Sequence, residues 1–188
     1  MLDLKRATLD HQRTYGCGSR PFADGAQLAA WAIEAGACSA VEIGTSLGYS
    51  AACLANAGIL VQTVDRDPVH IELARRHLNE RGLASRVNCM TGEAVEVLAD
   101  LPAGETDLAF FDGMEVSVAE IEVLARTLRP GGLLIVSNMK LGGQAAEVRE
   151  LIGGWQPRED GEVLLAVKPS QARRPATLGR STQHRTRR

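Results

Sequence analysis

Short apolar runs alternate along the chain with segments in which apolar residues recur at helical spacing. A short run of apolar residues bounded by polar residues or glycine is typical of a strand buried on both faces of a sheet. Before the C-terminal region the pattern predicts strands at Ala40–Ile43, Leu60–Val64, Val87–Met90, Leu108–Phe111 and Leu133–Val136.

Helical segments are predicted around these strands, and several have clear end signals. Asp67 is a typical N-cap, Pro68 suits the first helical position, and Gly82 ends that helix. Ser117 and Glu120 have the spacing of a capping box. The other predicted helices span Phe22–Ala35, Tyr49–Ala57, Glu93–Leu98, Ser117–Leu128 and Ala145–Ile152.

The C-terminal region has the pattern of a β-hairpin. Asp160-Gly161 is a favourable turn between a short edge strand near Trp155 and a closing strand at Val163–Lys168. Regular alternation of strands and helices predicts an α/β fold: a Rossmann-like, doubly wound, mostly parallel seven-stranded sheet with a C-terminal antiparallel hairpin. We divide the chain into a short N-terminal cover segment (1–21), the main domain (22–168) and a disordered basic tail (169–188).

Composition excludes several classes of protein. No apolar run approaches the about 18 residues of a membrane span, and the start of the chain has no signal-peptide pattern. We therefore expect neither a membrane protein nor a secreted one. The four cysteines form no C-x-x-C pair, which predicts small buried thiols in a reducing cytoplasm; they are Cys17, Cys38, Cys53 and Cys89.

The net charge of −2 conceals an uneven distribution. Six of the 21 basic residues and none of the acidic ones lie beyond Lys168, which leaves 15 basic and 23 acidic residues, a net charge of −8, in the rest of the chain. A nucleic-acid binder needs a basic face to neutralise phosphates. The acidic body therefore argues against nucleic acid as the partner.

The loop after the first predicted strand has the features of a nucleoside site. In doubly wound sheets, ligands bind beyond the carboxyl ends of the strands, where the strand order reverses. Gly44 and Gly48 allow the backbone to approach a ligand, and the helix that follows presents free N–H groups. Asp65 ends the second strand, 21 residues after Gly44, where a carboxylate can accept both hydroxyls of a ribose.

Two other interpretations of this loop fit the sequence less well. Dinucleotide binding requires G-x-G-x-x-G, but position 46 is serine, so the middle glycine is missing. The segment Gly44–Gly48 formally matches the G-x-S-x-G nucleophile elbow of hydrolases. That elbow does not fit directly after the first strand, and the histidine that follows the later acidic residues is His184, in the tail, so a Ser–Asp–His order cannot be assembled.

The segment Val41–Ser50 resembles motif I of class I S-adenosylmethionine-dependent methyltransferases. Its EIG…GYS form is closest to the catechol and caffeoyl-CoA O-methyltransferase family. The resemblance extends over the range from Phe22 to Lys168, and the segments that carry it further are Val64–Pro68, Thr91–Ala94, Asp107–Gly113 and Leu128–Gly132.

The resemblance implies a cofactor, a reaction and a set of cofactor contacts. It implies S-adenosylmethionine as cofactor and methyl transfer to a small-molecule acceptor, with oxygen as the favoured atom. Carboxylates at Glu42 and Asp112 suit the cationic sulfonium of that cofactor. The implied cofactor-binding residues are Glu42, Gly44, Thr45, Ser46, Ser50, Asp65, Arg66, Gly92, Glu93, Ala94 and Asp112.

One departure from the family concerns its divalent metal. The family holds the ion on the aspartate after strand four and on an Asp-Asn pair after strand five. Here Asp112 and Asn138 are present, but Ser137 stands in place of the second aspartate. Mg²⁺ usually needs one or two carboxylates. We predict no metal dependence; if a site exists, Asp112 and Asn138 form it.

A second departure concerns catalysis. Glu115 stands three residues after Asp112, where the family tends to have a lysine. The sulfonium of the cofactor is already activated, so correct positioning of the acceptor supplies much of the rate. The candidate catalytic residues are Asp112, Glu115 and His11.

The family also implies a homodimer. The alternative is a non-catalytic cofactor-binding protein with a regulatory or assembly role, and a third interpretation is a NAD-dependent enzyme. His70 and His77 are predicted to be surface residues.

Overall fold

The computed structural model describes residues 1–170, in which one seven-stranded sheet has the order β3-β2-β1-β4-β5-β7-β6. Strands β1 to β5 pair in parallel, whereas β7 is antiparallel to both β5 and β6. The predicted fold class is therefore confirmed. The strands are β1 (Ser39–Ile43), β2 (Leu60–Asp65), β3 (Val87–Thr91), β4 (Thr106–Phe111), β5 (Leu128–Val136), β6 (Arg158–Asp160) and β7 (Val163–Val167).

The helices lie before and between the strands. They are α1 (Leu2–Tyr15), α2 (Gly25–Glu34), α3 (Tyr49–Asn56), α4 (Pro68–Glu80), α5 (Ala94–Ala99), α6 (Val118–Thr127) and α7 (Ala145–Leu151). Helix α1 was not predicted, because Leu4 and Thr8 are its buried residues and two such positions give little apolar periodicity. None of the helices in residues 1–170 is long and apolar enough to cross a membrane.

Local capping signals place the helix ends. The Asp67 side chain accepts a hydrogen bond from the backbone N–H of Val69 at 2.8 Å, and Pro68 is the first residue of α4, as predicted. The Ser117 side chain accepts a hydrogen bond from the backbone N–H of Glu120 at 3.3 Å, and Ser117 is the N-cap residue of α6. Helix α2 begins at Gly25 rather than Phe22 because Asp24 caps it.

Helices cover the sheet on both faces, with one apolar cluster on each. Alternate residues of β4 point to opposite faces, so Leu108 and Phe110 join the cluster under α1 to α4, whereas Ala109 and Phe111 join the cluster under α5 to α7. Both phenylalanines are fully buried. This packing fixes the carboxyl end of β4 in the middle of the sheet.

Two local predictions need correction. The edge strand lies at Arg158–Asp160, because Gly153–Trp155 forms a short 3-10 helix instead, and the hairpin loop follows Asp160, which pairs with Val163. The cysteine prediction is right for Cys53 and Cys89 but wrong for two others, since Cys17 is half-buried and Cys38 is exposed. The predicted tail lies almost wholly in residues 171–188, outside the described residues.

The reversal of strand order falls between β1 and β4. Strand β1 pairs with β2 on one side and with β4 on the other. Strand β3 then lies outside β2, and β5 lies outside β4. The backbone N–H of Asp112 donates to the carbonyl of Ile43 at 2.8 Å, which holds the two strand ends together. Asp112 and Gly44 therefore meet at the topological switch point.

Candidate active site

A cavity of about 590 Å³ opens at the carboxyl ends of β1, β2, β3 and β4. Its lining combines the loop after β1, the ends of β2 and β4, the start of α5 and a segment that precedes α2. Most of the residues predicted from the sequence line it, namely Gly44, Ser46, Asp65, Arg66, Gly92, Glu93, Ala94, Asp112 and Glu115.

The loop after β1 passes very close to the end of β4. Gly44 has a φ of 100°, and a Cβ atom at this position would lie 2.6 Å from the carbonyl oxygen of Asp112. Neither the backbone angle nor the space therefore allows a side chain. The next turn brings the Ser46 hydroxyl into a hydrogen bond with Ser19, which joins the N-terminal segment to the loop.

Gly44→Ala should destabilise the chain more than an alanine at an uncrowded glycine. Gly58 is the matched control, because its φ is 93° and a Cβ atom added there would meet no other atom within 4 Å. The backbone strain alone costs about 1–3 kcal/mol. In addition to this strain, Gly44→Ala must push away the backbone carbonyl of Asp112. Denaturant titration of both variants measures the difference, and equal losses would contradict the close approach.

Asp65 is held as an anion at the edge of the cavity. Its carboxylate accepts hydrogen bonds from the backbone N–H groups of Ser46 at 2.8 Å and Asp67 at 3.0 Å. Burial works to raise the pKa of Asp65, but hydrogen bonds from His70 and from these two N–H groups outweigh it and lower that pKa. The remaining lone pairs of a charged carboxylate are available to hydroxyl groups of a ligand.

His70 is a buried partner of Asp65 and not a surface residue, so the prediction for it was wrong. Its side chain is packed between the two acids that flank the start of α4, with Nδ1 3.6 Å from Asp65 and Nε2 3.6 Å from Asp67. Asp65 raises the pKa of His70 to about 9, against the opposing effect of burial. His77 is half-buried and not a surface residue either, with its Nδ1 3.5 Å from Glu80.

Glu42 lies in a polar layer directly beneath the loop. Thr63 donates to Glu42 Oε2 at 2.6 Å, and the Thr63 hydroxyl is also 2.6 Å from that of Thr45. Burial raises the pKa of Glu42 to about 7, although the Thr63 hydrogen bond opposes the shift. The second oxygen, Oε1, is buried and has no hydrogen-bond partner. Glu42, Thr45 and Ser50 therefore support the loop and do not line the cavity.

Glu42→Gln should stabilise the chain at alkaline pH and change little at pH 4. The folded-state pKa of about 7 exceeds the ordinary value of 4.5. Between these values the unfolded chain loses the proton first, so wild-type stability falls as pH rises. The gain above pH 7 is about 3 kcal/mol.

Denaturant titrations at pH 5 and pH 8 measure this gain. Exposed Glu34 provides the control Glu34→Gln, which should show no pH-dependent difference from wild type. If the free energies of unfolding of Glu42→Gln and wild type differed by the same amount at both pH values, the raised pKa of Glu42 would be contradicted.

Asp112 reaches the cavity from the end of β4. The Ser137 hydroxyl donates a hydrogen bond to its Oδ1. Burial raises the pKa of Asp112 well above its ordinary range, with the Ser137 hydrogen bond opposing and the charge of Glu42 adding to the shift. A carboxyl with a raised pKa is a stronger base once it is ionised, and a cation bound beside it would favour that ionised form.

The residues near Asp112 do not fit the metal site that the family resemblance implies. Ser137 is committed to Asp112, and the Asn138 side-chain amide donates to the carbonyl of Gly113 at 2.7 Å. Asp112 is thus the one carboxylate of the set, the smallest number that Mg²⁺ usually uses, and its two neighbours are already hydrogen-bonded to other protein groups.

The N-terminal segment supplies lining residues that the sequence did not predict. Cys17, Gly18, Ser19 and Arg20 line the cavity. His11 does not line it, since its ring packs 4.7 Å from Tyr15 and 5.4 Å from His70. Thr63 was also missed, and its signal was a polar residue within an apolar strand, paired in register with Glu42.

Comparison with known proteins gives one family match and a set of relatives. The sequence model of a methyltransferase domain family matches residues 41–139. A protein of Mycobacterium sp. (strain JLS) that bears the name O-methyltransferase is 36% identical over 138 residues, which cover 70% of this chain and 62% of the relative. The chain thus spans about six tenths of the length of the curated relatives it matches.

Solved structures share the fold over most of the chain. The O-methyltransferase TomG from Streptomyces achromogenes, solved in complex with SAM, has 25% identity and a TM-score of 0.73, and the match covers 88% of this chain and 89% of that one. An O-methyltransferase from Bacillus cereus, solved in complex with SAH, has 22% identity and a TM-score of 0.71, covering 88% and 91%. The second match shows the fold alone.

Proposed function

The chain belongs to the methyltransferase domain family, and we propose that it transfers the methyl group of S-adenosylmethionine to a hydroxyl oxygen of a small molecule without using a metal ion. One observation carries the proposal: the tight Gly44 loop, the charged Asp65 and the proton-binding Asp112 converge on one cavity at the switch point of the sheet. The relatives that bear the name O-methyltransferase and the SAM-bound TomG structure support it.

The cavity residues fit the parts of this cofactor. The Asp65 carboxylate would accept the ribose hydroxyls, and Gly92, Glu93 and Ala94 would contact the adenine. Gly44 and Ser46 would bring backbone groups to the methionine part. Glu42 lies beneath them with an unpartnered oxygen, so its carboxyl group adds a buried negative potential that favours a cation.

The chain's own contribution to the reaction is positioning and proton handling. S-adenosylmethionine, when bound, supplies a methyl group already activated by the sulfonium. Asp112 stands at the switch point and would receive the proton that the acceptor hydroxyl loses. Glu115 is exposed at the rim of the same cavity and would orient the acceptor. The N-terminal residues Ser19 and Arg20 line the same cavity and would limit access of water to the acceptor.

Metal removal should leave the activity unchanged. Because Asp112 is the one carboxylate of the implied metal set, dialysis against EDTA should change neither S-adenosylhomocysteine affinity nor turnover by more than about twofold. Calorimetric titration and label transfer, each with Mg²⁺ and with EDTA, provide the measurement. A tenfold loss in EDTA that Mg²⁺ restores would contradict metal independence.

Turnover is tested with methyl-labelled S-adenosylmethionine and a panel of small phenols and other hydroxyl compounds. Label that moves to an acceptor oxygen supports the proposal. Tight cofactor binding with no transfer to any member of the panel would favour the alternative, a non-catalytic cofactor-binding protein.

Homodimerisation and a cytoplasmic location stay predictions. The acidic residues of the chain continue to disfavour nucleic acid as the acceptor.

A further inference from the structure

A group of three side chains of metal-ligating type lies at the edge of the cofactor cavity, where Cys17 and His70 are among the lining residues. Within residues 1–170 the ligand atoms of His11, Cys17 and His70 all lie within 4.8 Å of one another. The three residues come from separate parts of the chain: α1, the segment after it, and α4. His11 and Cys17 are close in sequence, and the fold brings His70 of α4 to them.

His70 provides an independent sign that a ligand belongs here. The residue is 8% exposed, and its Nε2 atom is buried without a hydrogen-bond partner. Its other ring nitrogen, Nδ1, lies 3.6 Å from Asp65. Nε2 makes no hydrogen bond, so a metal ion that displaces its proton would bind a histidine whose ring is already oriented by a carboxylate at Nδ1.

The charge around the group suits a cation. The Asp67 carboxylate lies 3.6 Å from Nε2 of His70, and Asp65 flanks the opposite side of the ring. The donors are one sulfur and two imidazoles. Such a set binds Zn²⁺ in preference to Mg²⁺ or Ca²⁺, which take oxygen ligands. Cys17 is half-buried and free, so its thiol is available to become a thiolate ligand.

We propose that His11, Cys17 and His70 bind one Zn²⁺ ion, with a fourth coordination position open to water from the cavity. Zinc bonds of about 2.0–2.3 Å place ligand atoms roughly 3.5 Å apart, so the three side chains close by about 1 Å on binding. The ion links α1 and the segment at Cys17 to α4. It stabilises the N-terminal segment without taking part in the cofactor contacts, because the wall of the cavity is also held by hydrogen bonds such as that between Ser19 and Ser46.

Cobalt provides a direct probe of this site. The full chain, reduced and stripped of metal, is titrated with Co²⁺, whose absorption reports both tetrahedral geometry and thiolate coordination. We expect one Co²⁺ per chain with a thiolate charge-transfer band, and displacement of that ion by one equivalent of Zn²⁺. A chain that binds no Co²⁺ or Zn²⁺ in the micromolar range would overturn the proposal.

Single substitutions identify the ligands. Cys17→Ser should remove the charge-transfer band, and both Cys17→Ser and His11→Gln should weaken Zn²⁺ binding by at least about 100-fold, since even outer partners of a ligand affect affinity by 10- to 100-fold. Cys38→Ser and His77→Gln are the matched controls, because Cys38 is exposed and His77 faces Glu80. An unchanged band in Cys17→Ser would overturn the proposal.

Thermal unfolding tests the site independently of both the Co²⁺ absorption and methyl transfer. Zn²⁺ should raise the Tm of wild type and of Cys38→Ser but not that of Cys17→Ser. Variants that fold poorly are identified by their metal-free Tm. Failure of this site leaves cofactor binding in EDTA unaffected, so the two proposals are tested separately. Equal Zn²⁺-induced shifts in wild type and Cys17→Ser would contradict the site.

Discussion

Asp112→Asn should reduce methyl transfer by about 10²- to 10⁴-fold while changing S-adenosylhomocysteine affinity by less than about tenfold. Asparagine has the same shape and still offers an oxygen to the Ser137 hydroxyl, which preserves the hydrogen bond seen at Asp112. It cannot take a proton from the acceptor. The effect should therefore appear in kcat and leave cofactor binding largely intact, as label transfer and calorimetry would measure.

Two further variants make this prediction specific. Asp100→Asn changes an exposed aspartate at the end of α5 and should retain wild-type turnover. Glu115→Gln should cause a smaller loss than Asp112→Asn, because Glu115 lies exposed at the rim of the cavity. A larger loss in Glu115→Gln would transfer the role of base to Glu115, and full activity of Asp112→Asn would contradict the proposed chemistry.

Asp65→Asn should weaken S-adenosylhomocysteine binding by at least about 100-fold. The charged carboxylate can accept from two ribose hydroxyls, and hydrogen bonds to a charged group contribute about 1.5–3 kcal/mol each. Asparagine also turns an N–H donor toward the backbone N–H of either Ser46 or Asp67, both of which now donate to Asp65. Asp65→Asn should therefore loosen the loop after β1 in addition to removing the charge that faces the ribose.

Calorimetric titration of Asp65→Asn, with Asp100→Asn as the control, measures this loss. Tm values of both variants separate a folding defect from a binding defect, because a stable but non-binding Asp65→Asn assigns the effect to the ligand contact. Retention of wild-type affinity in Asp65→Asn would contradict the placement of the ribose at this carboxylate.

The sequence predicted best what depends on local signals and on strand ends. Asp67 and Pro68 mark the start of α4 because capping and a fixed φ angle act within one turn of helix. Gly44, Asp65 and Asp112 were placed together because the carboxyl ends of parallel strands share one edge of a sheet. The resemblance to class I methyltransferases is confirmed by the family match over residues 41–139.

The sequence predicted poorly what depends on contacts between distant segments. His70 has the spacing of a surface residue on α4, and its burial depends on Asp65 and on the N-terminal segment that packs over it. Cys17 lies in a stretch without periodicity, so no pattern indicated that it would reach the cavity. Helix α1 was missed for the related reason that it packs on α3 through few apolar side chains.

Calorimetric titration of the full chain with S-adenosylhomocysteine, beside NADH as a comparison ligand, tests the central claim most directly. The account predicts one site per chain with micromolar affinity for S-adenosylhomocysteine and no measurable heat with NADH, because the loop lacks the middle glycine of a dinucleotide site. No binding of S-adenosylhomocysteine, or tighter binding of NADH, would contradict the assignment of this cavity to a methyl-donor cofactor.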